Sequence, residues 1–360
     1  MIASVADEPL ISTARLLAFG ETILGRLDVP QEHAALTARI LLEADLRGIA
    51  SHGMAHLVDF YVRRLQRGKI NPRPQLKLDS DQPSAATLNA GNGLGFVAGQ
   101  HAMELAIEKA QTTGIGWVSV GNSTHYGAGG YYAMMALEHD MIGFSMTTGG
   151  RLVAPPGGLG RAIGLNVLSV AAPTSRDFPY VLDMATSVVA AGKLEIARRR
   201  GESIPEGWAQ TAAGEPLTDP AKLHPDSTLL PLGGTPAMGA FKGFGLTIMV
   251  DILTGALSGF GTSAEIDAGL TAAHCFGAMR IEAFQPLADY KERMEHMLAA
   301  IKETPRRDGV DEIMIPGEPE HALAEQRRAD GRVPVHVAVL AGFKEAAAEL
   351  DVLYDLEGAS

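Results

Sequence analysis

Apolar residues recur every three to four positions in several long segments, which is the pattern of helices that bury one face. Near the start of the chain this pattern predicts helices over residues 9–27, 30–47 and 57–66. The second of these carries Pro30 and Glu32 in its first turn and is followed by Gly48, and such residues are common start and stop signals. The chain therefore opens with a predicted helical layer.

Beyond residue 85 short apolar runs alternate with helical segments, as in an α/β fold. Strands are predicted at residues 86–89, 116–121, 142–147, 167–172, 180–184 and 279–283. Further helices are predicted at residues 96–112, 131–139, 187–200, 243–258, 287–303, 318–329 and 335–350. We therefore expect a helical part at 1–80, a central α/β domain at 81–240, and a helical and mixed part at 241–360 that packs on the first.

Composition narrows the class of protein. The 360 residues are 46% hydrophobic and 20% charged, which is typical of a globular enzyme. The net charge of −12 and the absence of a long basic cluster disfavour a nucleic-acid partner. One cysteine, Cys275, excludes an internal disulfide, and the first ten residues do not resemble a secretory signal. We expect a cytoplasmic protein.

The most apolar stretch, residues 241–260, is interrupted by Lys242 and Asp251 and diluted by glycines. A membrane span needs about 18 or more apolar residues in succession. This stretch therefore predicts a buried helix, and no membrane partner is expected.

The common dinucleotide fingerprint is not present. Residues 91–95 read Gly-Asn-Gly-Leu-Gly between a predicted strand and a predicted helix, but the fingerprint requires G-x-G-x-x-G. The next strand ends in Gly121 and Asn122, where the fingerprint would place an acid for the ribose. Any dinucleotide site is therefore expected to be of another kind.

The first candidate cluster is Ser51-His52, which follows a helix stop. Histidine is suited to proton transfer near neutral pH, so His52 is a candidate acid or base for hydride chemistry at a C=O or C=N group. His52, His56 and His125 could instead bind zinc in a hydrolase. Residue 53 is glycine, so the H-E-x-x-H metalloprotease motif is absent.

Two further clusters are open to more than one interpretation. Residues 122–132 are rich in glycine and join a strand to a helix, where backbone N–H groups could bind an anion or merely form a turn. Asp183 ends an apolar strand, where it could cap the following helix or orient an imidazole. Lys242 offers a cation for phosphate or carboxylate, or is a surface lysine.

Five motifs, taken in order, resemble the type 2 malate/L-lactate dehydrogenase family over nearly the whole chain. They are Asp-Leu-Arg-Gly at 45–48 running into Ser-His-Gly at 51–53, residues 122–127, residues 182–187, residues 242–243 and residues 315–318. The resemblance implies a non-Rossmann α/β fold, with a mixed-sheet central domain and a helical layer formed by both chain ends. It also implies a homodimer and NADH or NADPH as hydride carrier. Separately, we expect no metal ion at the site.

Residue roles follow from the same resemblance. His52 is implied as proton donor or acceptor, Ser51 and Asp183 as its relay partners, and His125 as a second active-site residue. The implied cofactor contacts are His125, Tyr126, Gly127, Ala128, Asp183, Met184, Ala185, Thr186, Ser187, Lys242, Gly243, Gly317 and Glu318.

Two departures from the family pattern concern the substrate. The family places arginine where this chain has His56, and threonine where it has Leu165. We therefore expect an altered carboxylate pocket, with His56, Arg47 or a group of the partner subunit as anchor. The expected substrate is a small 2-oxo, 2-hydroxy or cyclic imino acid, and the alternatives are the zinc hydrolase and an inactive member that only binds cofactor.

Overall fold

The computed structural model describes residues 8–267 and 271–357. Its strands are β1 Leu10–Ser12, β2 Lys77–Asp81, β3 Ala85–Asn89, β4 Ile115–Ser123, β5 Met141–Thr148, β6 Val167–Ala172, β7 Tyr180–Ala185, β8 Ala209–Gln210, β9 Thr228–Leu229, β10 Ala272–Arg280 and β11 Arg332–Pro334. Its α-helices are α1 Thr13–Gly25, α2 Gln31–Leu46, α3 Arg63–Gln66, α4 Gly95–Thr113, α5 Gly129–Met135, α6 Ala191–Arg200, α7 Ala240–Asp251, α8 Leu287–Lys302, α9 Glu318–Asp330 and α10 Val337–Glu349.

A seven-stranded mixed sheet forms the centre of the molecule, in the order β2-β3-β4-β10-β5-β6-β7. Only the β3–β4 pair of this sheet is parallel, and its other neighbouring pairs are antiparallel. A doubly wound dinucleotide fold has a mostly parallel sheet. The predicted non-Rossmann, mixed-sheet class is therefore confirmed.

The middle strand of this sheet, β10, was located incorrectly from the sequence. The predicted strand at 279–283 overlaps only the end of β10, and Ile281–Ala283 forms a 3₁₀ turn. Every residue from 272 to 278 is buried because both faces of the strand are covered, so the alternating pattern of a half-exposed strand is absent. β10 also lies outside residues 81–240, and the three-part division of the chain stays a prediction.

Helices α4 and α5 approach the sheet closely over a row of small residues. Ala278 of β10 pairs with Gly116 of β4 on one side and with Gly143 of β5 on the other. A Cβ atom at Gly116 would lie 1.9 Å from the carbonyl oxygen of Ala106, and one at Gly143 would lie 2.0 Å from that of Ala133. The missing side chains therefore allow the helix backbones to contact the strands.

Both ends of the chain build the helical layer. β1 pairs antiparallel with β11, with Ile11 opposite Val333. Phe19 of α1 packs on Phe343 of α10, and the ring centroids are 5.2 Å apart. The predicted helical layer is thus confirmed, but Leu10–Ser12 was predicted to be helical and is a strand. Its partner lies at the far end of the chain, and no local pattern reveals such a pairing.

The segment predicted as a buried helix at 243–258 is only half buried. It forms α7 and a π-helical turn at Ile252–Ala256, and one side faces the sheet through residues such as Thr247 and Val250. Its other side, here named the α7 face, exposes Phe241, Ile248, Met249, Ile252, Leu257 and Phe260. No helix within residues 8–267 and 271–357 is long and apolar enough to cross a membrane.

The close approach at Gly116 gives a stability prediction. Gly116→Ala should lower the free energy of unfolding by about 1–3 kcal/mol, because its methyl group collides with the α4 backbone. Chemical denaturation measures this change. Gly342→Ala in α10 is the matched control, since nothing lies within 4 Å of the added Cβ; equal destabilisation of both variants would contradict the packing explanation.

Candidate active site

A cavity of about 490 Å³ lies between the end of α2, β7, the 127–130 segment and the start of α9. Charged side chains line it: Glu43, Arg47, Asp183 and Glu320. Several residues that the sequence predicted also line it: Arg47, Ser51, His52, Gly127, Ala128, Leu165, Asp183, Met184, Ala185 and Gly317. The structure therefore brings together residues that are far apart in the sequence.

His52 lies in a 3₁₀ turn, Ala50–His52, directly after α2. Ser51 Oγ is 3.0 Å from its Nδ1 atom, which leaves Nε2 for another partner. Burial lowers the pKa of His52 from its ordinary value, and the negative charge of Asp183 opposes this shift. The ring is therefore an acid or base whose protonation depends on a nearby carboxylate.

Asp45 holds the loop that carries His52. Its Oδ2 accepts a 2.8 Å hydrogen bond from the Met54 N–H, and a Cβ atom at Gly53 would lie 2.0 Å from its Oδ1. Burial raises the pKa of Asp45 to about 7. The sequence indicated Asp45 only as part of a motif, and a buried aspartate at the end of an apolar helix is the signal that could have identified this role.

Asp183 is held at the start of α5 and not at the helix that follows it in sequence. Its Oδ2 accepts a 2.8 Å hydrogen bond from the Gly130 N–H, and its Oδ1 accepts one of 2.6 Å from Ser169 Oγ. Burial raises its pKa, while these bonds and the charges of His52 and Arg47 lower it. The interpretation of Asp183 as a cap for the next helix is wrong, and the Gly130 N–H binds a carboxylate of the protein.

His125 is fixed in one tautomer. Its Nδ1 accepts a 3.2 Å hydrogen bond from the Gly127 N–H and lies 2.5 Å from the Tyr61 hydroxyl. A backbone N–H can only donate, so the neutral ring carries its proton on Nε2. Burial, with the neighbouring His52 and His56, places the pKa of His125 well below its ordinary value. His125 is therefore a neutral hydrogen-bond donor.

The three imidazoles form a triangle. The ring centroids are 5.6 Å apart for His52 and His125, 5.8 Å for His52 and His56, and 5.9 Å for His56 and His125. Among the residues with described positions, no group of three His, Cys, Asp or Glu side chains is arranged to hold a metal ion. The geometry therefore gives the zinc alternative no support.

His56 differs electrostatically from an arginine at the same position. Its ring stacks on Phe60 at 5.4 Å, and the guanidinium of Arg64 lies 3.3 Å from the centre of the Phe60 ring. Burial lowers the pKa of His56 to about 4, and the charges of His52 and Arg64 contribute. His56 is therefore neutral at pH 7, and it does not line the cavity.

Arg47 is the buried cation of the cavity. It is 8% exposed and lies at the end of α2. Burial lowers its pKa, and the charges of Glu43, Glu320 and Asp183 oppose that change. Its guanidinium makes no ion pair with any residue that the structure describes. Burying an unpaired guanidinium costs free energy, which an anion in the cavity would offset.

Three other predicted cofactor contacts, Thr186, Ser187 and Glu318, have side chains that bond to other groups of the protein. Thr186 Oγ1 donates to the Leu165 carbonyl at 2.7 Å, and Ser187 Oγ donates to that of Val189 at 2.8 Å. Glu318 is paired with Lys302 at 2.7 Å and accepts from its own loop. These side chains are occupied within the protein and do not line the cavity.

Four more predicted residues also lie outside the cavity lining, and one of them is His125, described above. Tyr126 is buried, with its hydroxyl 3.1 Å from Ser145 Oγ. Lys242 is exposed at the start of α7, and Gly243 packs on the backbone of Leu232. In contrast, Gly317 lies at the cavity, where its φ of +94° and close contact with β7 exclude a side chain.

Comparison with known proteins identifies the family. A family model described as malate/L-lactate dehydrogenase matches residues 11–344. The malate dehydrogenase of Pyrococcus abyssi is 44% identical over 342 residues, 94% of each chain. The L-sulfolactate dehydrogenase of Methanocaldococcus jannaschii is 36% identical over 315 residues, covering 86% of this chain and 88% of the relative.

A solved structure shows the same architecture. The structure of malate dehydrogenase from Pyrococcus horikoshii superposes with a TM-score of 0.87 at 39% identity and covers 97% of both chains. Dehydrogenases of this family use nicotinamide cofactors. The predicted resemblance and enzyme class are confirmed, and the chain belongs to the malate/L-lactate dehydrogenase family.

Proposed function

We propose that this protein transfers a hydride between a nicotinamide cofactor and the carbon next to a carboxylate. The observation that carries the proposal is that His52, Arg47 and Asp183 line one cavity. Within the described residues, His52 Nε2 has no hydrogen-bond partner and Arg47 makes no ion pair. The substrate would be a 2-oxo or 2-hydroxy acid, or a cyclic imino acid. Each has a carboxylate beside the carbon that is reduced or oxidised.

We propose that this cavity binds a nicotinamide dinucleotide. Its volume of about 490 Å³ falls within the usual range for small-molecule and cofactor sites. Gly127, Gly129 and Gly130 form a wall without side chains, and a Cβ atom at Gly129 would lie 2.4 Å from Ser169 Oγ. We propose Gly127, Ala128, Met184, Ala185 and Gly317 as cofactor contacts; when bound, the nicotinamide supplies or accepts the hydride.

His52 would move the proton that accompanies the hydride. In the reducing direction its Nε2 donates a proton to the carbonyl oxygen or imine nitrogen, and in the oxidising direction it takes that proton back. Ser51 at Nδ1 and the charge of Asp183 would stabilise the protonated ring. His125 lies outside the cavity lining, with its ring centroid 5.6 Å from that of His52, and we propose it as a neutral second active-site residue beside His52.

Arg47 is the anchor that we propose for the substrate carboxylate. A guanidinium binds a carboxylate through two parallel hydrogen bonds, and Arg47 has no competing ion pair in the structure. His56 is neutral at pH 7 and lies outside the cavity lining, so it supplies shape and stacking but no charge. Leu165 would give the substrate an apolar contact where the family has a hydroxyl.

A second copy of this chain is proposed as partner of the α7 face. Six large apolar side chains are exposed there on one stretch of chain, and monomers rarely expose so contiguous an apolar surface. Stable dimers bury about 800 Å² on each subunit. The resemblance also implies a homodimer, and a cytoplasmic location stays a prediction.

The proposed acid or base gives the first functional prediction. Loss of nicotinamide absorbance should show turnover with a member of a panel of 2-oxo and cyclic imino acids. His52→Ala should lower kcat by about 10²-fold or more, because proton transfer is lost. His101→Ala, an exposed histidine of α4, is the control; a near-normal kcat for His52→Ala would remove His52 from the role. Cofactor binding without turnover on any substrate would indicate an inactive member.

The pH dependence should follow the charge of His52. Oxidation needs the neutral ring, so kcat/KM for a hydroxy acid should fall as pH falls through a midpoint below the ordinary 6.5. Asp183→Asn removes the charge that raises the His52 pKa, so the midpoint should move to lower pH. If Asp183→Asn is inactive, NMR titration of the His52 ring measures the same shift of its pKa. The control Asp59→Asn, at an exposed site, should leave the midpoint unchanged. A midpoint that moves to higher pH after Asp183→Asn would contradict the pairing of Asp183 with His52.

The proposed carboxylate anchor is tested by KM. Arg47→Ala should raise the KM for the acid substrate about 10- to 100-fold, the scale of one charged hydrogen-bonding group. His56→Ala should have a smaller effect, because the neutral ring carries no charge. Arg39→Ala, exposed on the same helix, is the matched control. If His56→Ala raised KM more than Arg47→Ala, the anchor would be His56.

The proposed dimer is tested by one charge on the α7 face. Ile252→Asp should convert a dimer into a monomer in size-exclusion chromatography with light scattering, because a buried unpaired carboxylate is costly. Leu353→Asp is the control, since Leu353 is 82% exposed and lies outside this face. A wild-type monomer, or an Ile252→Asp dimer, would show that the α7 face is not the interface.

A further inference from the structure

The charges that line the cavity are unequal in number. Three carboxylates, of Glu43, Asp183 and Glu320, face one guanidinium, that of Arg47. No lysine is among the described residues that line the cavity. A ligand with several negative charges therefore meets one positive group and an excess of acidic groups.

Two of the three carboxylates are compensated within the protein. Glu43 is paired with Arg328, and Asp183 accepts hydrogen bonds from Gly130 and Ser169. Glu320, in the first turn of α9, makes no hydrogen bond or ion pair within the described parts of the chain. It is thus the lining carboxylate with both oxygens available to a ligand.

The wall around Glu320 suits the nucleoside half of a dinucleotide. Met314, Pro316 and Pro319 line the cavity beside Glu320 and give this wall an apolar surface. The proposed proton transfer requires the nicotinamide to lie at His52, so the other half of the dinucleotide is left for the remaining walls. An apolar surface accommodates a purine, and a carboxylate accepts hydrogen bonds from the two ribose hydroxyls.

The nearby arginines are engaged elsewhere. Arg328 is bound to both Glu43 and Glu325, and Arg327 donates to the backbone carbonyl of Asp45. Neither lines the cavity. A 2′-phosphate on the ribose would add about two negative charges near Glu320, and the one unpaired cation of the described lining, Arg47, is already assigned to the substrate carboxylate.

We infer that the cavity selects NADH over NADPH and that Glu320 is the residue that makes this selection. The inference rests on the proposed function of the same cavity. Glu320 accepts hydrogen bonds from the ribose hydroxyls of NADH and repels the 2′-phosphate of NADPH. The common fingerprint places a comparable acid after its second strand, whereas here the acid comes from the start of a C-terminal helix.

Two measurements test the selection together. Nicotinamide fluorescence gives the dissociation constants of NADH and NADPH, and turnover of a 2-oxo or imino acid gives kcat/KM with each. The wild-type protein should favour NADH by more than about tenfold in both measurements, because like charges held close together in a site repel each other. Glu320→Gln should reduce that ratio by about tenfold, and Glu320→Arg should favour NADPH.

Glu325→Gln is the matched control, because Glu325 lies exposed on the same helix and does not line the cavity. It should leave the cofactor ratio unchanged. A wild-type preference for NADPH, or an unchanged ratio in Glu320→Gln, would overturn the inference. If both cofactors bind without turnover of any acid, the proposed function fails, while the two dissociation constants still decide the selection. Binding of neither cofactor would overturn both.

Discussion

The buried carboxylate of Asp183 determines how the cavity is built. A carboxylate removed from water is stable as an anion only where hydrogen-bond donors and positive charge compensate it. Gly130 and Ser169 supply the donors, and Arg47 and protonated His52, both just beyond α2, supply positive charge. This requirement joins α5, two strands of the sheet and the end of α2 around one group.

The sequence predicted the class of fold and most of the helices and strands. Its predictions were wrong for strands that are defined by contacts with distant parts of the chain. Helix α2 and the strand pattern from β3 to β7 follow from local periodicity, which depends on which face of an element is buried. β10 has no periodicity because both of its faces are covered, and β1 is defined only by its pairing with β11. Such features depend on the assembled molecule and leave no local pattern.

The same distinction applies to the site. His52, Asp183 and Arg47 were predicted from motifs, and the structure places all three on one cavity. The residue types in the sequence could not show that the Thr186 and Ser187 hydroxyls donate to neighbouring backbone carbonyls. They also could not show that Glu318 is paired with Lys302. The roles of Asp45 and Glu320 are visible only in the structure, because each role depends on the groups that surround the carboxylate in the folded chain. An acidic residue in a helix is normally a solvated surface group.

The pairing of β1 with β11 has a consequence for the order in which the protein matures. Thr13 and Gly331, joined beside this pairing, are 318 residues apart, so the ribosome makes almost the entire chain before the pair can form. The cavity wall formed by residues 314–320, and Arg327 behind Asp45, are also synthesised late. The sheet can be complete up to β10 while the loop of His52 still lacks its support. A nascent chain therefore exposes a cavity that lacks one wall, and the proposed dinucleotide site is complete only after these late residues have folded.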